Sequence, residues 1–215
     1  MLKAQLFAAA LAGFATSTIS SAAPKEPDAS PPVTRAASPG RFTVPGTGYE
    51  VALRLTGTKP ASQPPSPRLV RALGIWLAEN FALPLIASQP AVKLVSPVKI
   101  TTLRYTGLLS DKPEDVADVP AGQREVVATY DPLTRTIYLP EGWTGTTPAE
   151  LSVLVHEMVH DLQNVARTRF ACVEASEELA YSAQEKWLSL FGHSLMKDFE
   201  IDPMTLLVST RCGMR

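Results

Sequence analysis

The sequence predicts an α+β domain, in which a small, mainly antiparallel sheet packs on two helices that carry the chemistry. Three observations predict it. Residues 148–165 place Leu151, Leu154, Val155, Met158, Leu162 and Val165 at helical spacing. Residues 173–191 repeat that period with Val173, Glu177, Ala180, Gln184, Trp187 and Phe191. Ahead of both, residues 125–130 and 136–139 are β-branched and aromatic runs separated by Asp131-Pro132-Leu133-Thr134, a turn composition.

In chain order, the first segment reads as an export signal. Lys3 supplies a basic start, residues 6–14 an apolar run, and Ser20-Ser21-Ala22 a small-residue cleavage site, so residues 1–22 are expected to be removed. The run is too short to span a bilayer, and no membrane span is expected after cleavage. Losing Lys3 takes the formal charge from −1 to −2, since residues 1–22 hold no acid. That balance gives no reason to expect nucleic acid as a partner. The two cysteines, Cys172 and Cys212, are expected to form one disulfide in an oxidising compartment, secreted or periplasmic. Closing that loop contributes roughly 4 kcal/mol in the chain-entropy picture. The chain is expected to act as a monomer.

Residues 23–65 read as a largely disordered linker, because ten of the nineteen prolines lie between 24 and 67. Within it, residues 49–56 alternate apolar and polar and suggest an edge strand. The domain itself is expected over 66–215. Ser66-Pro67 opens a helix bearing Leu69, Val70, Leu73, Trp76, Leu77 and Phe81, with Pro84 beyond its end. Residues 98–105 read as a strand and 111–123 as a polar loop. Thr147-Pro148-Ala149-Glu150 is a capping box with Pro at the first helical position.

The helix so capped contains His156-Glu157-Met158-Val159-His160, or HExxH. Residues four apart share a helical face, so both imidazoles can reach one metal ion, and Glu157 can take a proton from water beside it. A catalytic zinc site needs a third protein ligand. An antiparallel helix hairpin turning near Thr168 sets His160 level with residues 176–178. Glu177 lies on the apolar stripe of the second helix, where a carboxylate needs a strong partner. Glu174 and Glu178 lie on its polar face. Glu177 is therefore favoured, with Glu174, Glu178 and His193 as the alternatives.

HExxH followed on a second helix by Glu-x-x-Ala resembles the gluzincin group of zinc metallopeptidases, through His156, Glu157, His160, Glu177 and Ala180. The resemblance implies a zincin-like fold and one Zn²⁺ per chain, held by His156, His160 and Glu177. It also implies Glu157 as general base and a peptide or protein as substrate. An edge strand near residues 136–139 would pair with that substrate. The chain departs from the group at Tyr181, where many members carry Asp to hold a ligand histidine. Tyr181 is left three roles: accepting from an imidazole N–H, donating to an oxyanion during catalysis, or packing. The alternative reading is a zinc-binding envelope protein that uses the same fold to bind a partner without proteolysis.

Overall fold

The structure is a computed structural model and describes residues 40–54, 60–85, 87–109 and 127–213. The signal segment, the rest of the linker and the loop over 111–123 lie outside the described residues.

The first element is a short hairpin, β1 (Arg41–Thr43) and β2 (Glu50–Ala52), paired antiparallel. It falls inside the stretch expected to be linker and is folded onto the core. Val44 and Val51 are buried, and Phe42 packs its ring on Trp187. The chain leaving β2 donates from Arg54 N to the Thr146 carbonyl at 2.8 Å, bracing the loop that starts the HExxH helix. Strand β2 lies within residues 49–56, where alternation suggested an edge strand; β1 was not foreseen, because its apolar residues are few and their partners distant in sequence.

Helix α1 (Pro67–Phe81) begins as expected, with Ser66 Oγ accepting from Leu69 N and Pro at the first position. It ends at Ala82, which adopts a left-handed conformation. Strand β3 (Ala91–Val95) follows, and then α2 (Pro97–Leu109) occupies the region expected to be a strand over 98–105. The correction has a local cause. Ser96-Pro97 repeats the helix-start signal of Ser66-Pro67, with Ser96 Oγ accepting from Lys99 N. Thr101 and Thr102 then satisfy their hydroxyls on the carbonyls four residues back, Pro97 and Val98. Ile100 is fully buried.

Strands β4 (Thr129–Asp131) and β5 (Thr136–Pro140) form the expected hairpin, closed by Asp131 Oδ1 accepting from Leu133 N and Thr134 N. The sheet order is β3-β5-β4, with β3 parallel and β4 antiparallel to β5. The three-stranded sheet is thus mixed rather than mainly antiparallel. Strand β5 is also its centre. Thr136 to Leu139 is paired on both sides, which corrects the expectation that an edge strand lies there; among the described residues β3 and β4 are the edges.

Helix α3 (Pro148–Val165) starts at Thr147, whose Oγ1 accepts from Glu150 N at 3.2 Å. Glu150 completes the cap by reaching back to Thr144 N and Thr146 N rather than to Thr147 N. Gly145 permits this turn: its φ is 65°, and an added Cβ would meet the Trp143 ring. After α3 comes a turn over 166–173, one 3₁₀ turn (Glu174–Ser176), and α4 (Glu177–Ser189) running back along α3. Val173 is 69% exposed, so it is not part of the buried stripe that Ala180, Gln184 and Trp187 do form. The core joins α1, α3 and α4 to Ile137 and Leu139 of the sheet. Its centre is Trp76 packed edge-on to Trp187. Two short helices, α5 (Leu195–Phe199) and α6 (Pro203–Thr210), close the chain. The expected disulfide is present between Cys172 and Cys212 and ties the end of α6 to the turn that leads into Glu177. No helix among the described residues is long and apolar enough to cross a membrane.

Candidate metal centre

Three of the residues singled out in the sequence meet where α3 and α4 face one another. His156 and His160, one turn apart on α3, direct their Nε2 atoms to points 3.3 Å apart. Glu177, the first residue of α4, places Oε2 3.1 Å from His156 Nε2 and 3.6 Å from His160 Nε2. The chain is brought to this geometry by two things. HExxH puts both rings on one face, and the disulfide-tethered turn starts α4 level with the end of that face. Glu178 is exposed and Glu174 lies in the 3₁₀ turn; neither joins the cluster. His193 stands apart, with Nδ1 2.8 Å from Asp198 Oδ1 in the cap of α5.

The three atoms suit a divalent cation. Bonds of 2.0–2.1 Å at tetrahedral angles set neighbouring ligand atoms about 3.3 Å apart, and the edges of this triangle are 3.1, 3.3 and 3.6 Å. The donor chemistry agrees: two imidazole nitrogens and one carboxylate leave a fourth position to water in catalytic zinc sites. The electrostatics point the same way. Burial alone would raise the Glu177 carboxyl, but hydrogen bonds with His156 and His160 hold it well below the usual carboxylate range. Burial opposes a charge on His160, yet the bond to Glu177 and its negative charge outweigh that and raise it. The cluster is built to keep a positive charge between its members.

Glu157 and His160 open onto a cleft of about 1030 Å³, bounded by Thr129, Tyr130 and Asp131 of β4 on one side and by residues of the turn before α4 on another. Glu157 is buried against the protein except on this side. The outer edge of β4, unpaired among the described residues, therefore borders the cleft. Tyr181 packs its ring edge-on to His156, with centroids 4.8 Å apart. The Nδ1 of the same ring lies 3.1 Å from Gln184 Oε1.

Beneath the cleft lies a network that the sequence reading missed. Asp161, buried on α3, accepts from Arg135 Nε at 2.9 Å and Nη2 at 3.0 Å, and from the Tyr130 hydroxyl at 2.9 Å. Asn164 Nδ2 donates to the same hydroxyl and to the Pro132 carbonyl. The group bolts the β4–β5 turn to α3. Burial pushes the Tyr130 phenol up, the bond from Asn164 opposes this, Asp161 adds to it, and the value reached is about 12. A usable signal was Asp161 itself, an acid on the helix face that otherwise buries apolar residues.

A family model for a domain of unknown function (DUF6647) matches residues 62–215. That span runs from just ahead of α1 and includes the whole cluster. No curated protein and no solved structure matches the chain.

Proposed function

The chain belongs to the DUF6647 family, and we propose that its His156–His160–Glu177 cluster is the centre of a zinc-dependent peptidase of gluzincin type on a zincin-like fold. The observation that carries the reading is the convergence of two Nε2 atoms and one carboxylate oxygen within 3.6 Å, at the floor of a cleft that also receives Glu157. His156, His160 and Glu177 would hold the ion. Zinc bound there supplies an acidified water and polarises a carbonyl.

The remaining work falls to the chain's own residues. Glu157 follows His156 on the helix and borders the cleft, so its carboxylate takes a proton from water and returns it to the leaving amine. The outer edge of β4, unpaired among the described residues, offers backbone N–H and C=O groups to an extended substrate, which favours peptides with little dependence on sequence. Arg135, Asp161 and Tyr130 hold that edge at a fixed height above α3. Tyr181 packs against the ligand ring of His156 and steadies it. The disulfide supports placement in an oxidising compartment, secreted or periplasmic.

The reading is tested by incubating the purified chain with an unfolded protein, before and after removal of metal by a chelator. Hydrolysis is expected from the untreated protein, lost on chelation, and restored by about one equivalent of zinc. A chain that binds no zinc, or hydrolysis indifferent to the chelator, would overturn it.

A further inference from the structure

Two glutamines stand behind the two histidines. His156 Nδ1 lies 3.1 Å from Gln184 Oε1, and His160 Nδ1 lies 3.2 Å from Gln163 Oε1. Both glutamines are only 4% exposed. The two ends of an amide differ little in shape, so which end faces the ring must follow from the partners at the other end.

Those partners leave one arrangement. The far end of Gln163 lies 3.0 Å from the Ser176 carbonyl oxygen, which can only accept, so that end is the NH₂. The far end of Gln184 lies 3.2 Å from Ser152 Oγ. The Ser152 hydroxyl is committed to the Ala149 carbonyl at 2.7 Å, so its oxygen accepts and the Gln184 end facing it is again the NH₂. Each glutamine therefore turns its carbonyl oxygen to a ring nitrogen, and that nitrogen must carry the hydrogen. A neutral imidazole has one N–H. With Nδ1 protonated in both rings, Nε2 is the nitrogen each ring turns to the point where Glu177 Oε2 also arrives, and there it either shares a proton with that carboxylate or offers its lone pair to a cation in the proton's place.

We propose that Gln163 and Gln184 are positioning residues that lock His160 and His156 in the Nδ1–H tautomer, reserving both Nε2 atoms for a divalent cation. The inference rests on the reading that the cluster binds metal. It also assigns each amide a second task. Gln163 fixes the height of Ser176, the residue before Glu177, and Gln184 ties α4 to α3 through Ser152. One pair of amides thus sets both ligand rings and the spacing of the helices that bear all three ligands. Unlike a carboxylate in the same place, an amide orients the ring without adding negative charge, so the bound ion keeps more of its own.

The test uses the full chain and two readouts. The first is zinc affinity, measured by competition with a chelating dye, for wild type, Gln163→Leu, Gln184→Leu and Gln184→Glu. The leucine variants are expected to bind about 10–100-fold more weakly, and Gln184→Glu, which keeps an acceptor toward Nδ1–H, at least as tightly as wild type. The second is the proton on Nδ1 in the metal-free wild type, read from imidazole ¹⁵N–¹H couplings; it needs no variant to fold. An unprotonated Nδ1 in either ring would overturn the inference, and so would folded leucine variants that bind zinc as wild type does. A wild type that binds no zinc while showing Nδ1–H in both rings would instead overturn the metal reading and leave the positioning intact.

Discussion

Replacing Asp161 by Asn tests how the cleft is held together. The carboxylate is 2% exposed and accepts three hydrogen bonds, two from Arg135 and one from Tyr130. Asn has the same shape but one acceptor oxygen, and its NH₂ would confront a donor. Breaking a fully buried ion pair costs about 3–5 kcal/mol. The Arg135 side chain is 31% exposed and regains some hydration, which lowers the expected loss to about 2–3 kcal/mol. With a urea slope near 2 kcal/mol/M, the midpoint should fall by roughly 1–1.5 M at unchanged slope. A double-mutant cycle with Arg135→Met separates the pair from general damage, and should return a coupling of about 1–2 kcal/mol. Because Asp161 faces the sheet and not the cluster, bound zinc should stay at about one per chain, while KM for peptide rises as the β4 edge loosens. A midpoint shift below about 0.5 M, or a coupling near zero, would refute the claim that this network anchors β4 to α3.

Glu177→Gln should weaken zinc binding by more than about 100-fold, while exposed Glu178→Gln leaves it unchanged; dye competition reads both, and the reverse order would mean that α4 is rotated. Tyr130, raised to about 12, favours its neutral form in the fold. Its contribution to stability is therefore full below the unfolded value near 10 and is lost as pH rises from there through about 12. Absorbance titration should show a late phenol that vanishes in Tyr130→Phe, and a late end of the titration unchanged by that substitution would contradict this. Thiol titration of the unfolded, unreduced chain should find no free thiol. Replacing Cys172 and Cys212 by Ser should cost about 2–4 kcal/mol in urea unfolding, and an unchanged midpoint would refute the stabilising role.

The His156–His160–Glu177 cluster was legible because helical periodicity fixes direction as well as existence. HExxH sets His156 and His160 on one face by spacing alone, and the apolar company of Ala180 and Trp187 separates Glu177 from Glu178. The same arithmetic reached the supporting glutamines without their being recognised. Gln163 follows His160 by three and Gln184 follows Glu177 by seven, both on the faces already in use. The misreadings have different causes. Val98, Ile100, Thr101 and Thr102 favour a strand by side-chain type, but Ser96-Pro97 starts a helix and Ile100 gains burial in it. Strand β3 is five residues between prolines, and its identity depends on pairing with β5, which no local pattern records. Strand β1 is hidden for the same reason, since Phe42 is held by Trp187 and Phe191 from the far end of the chain.

Glu157→Gln addresses the proposed chemistry most directly, since the substitution keeps shape and ligands and removes only a base. Zinc content and the rate of hydrolysis of an unfolded protein are measured on the same preparation as wild type. About one zinc is expected in both proteins, with a rate lower by about 10²–10⁴ in the variant. A zinc-loaded variant that hydrolyses at the wild-type rate would contradict it, as would a zinc-loaded wild type that hydrolyses nothing.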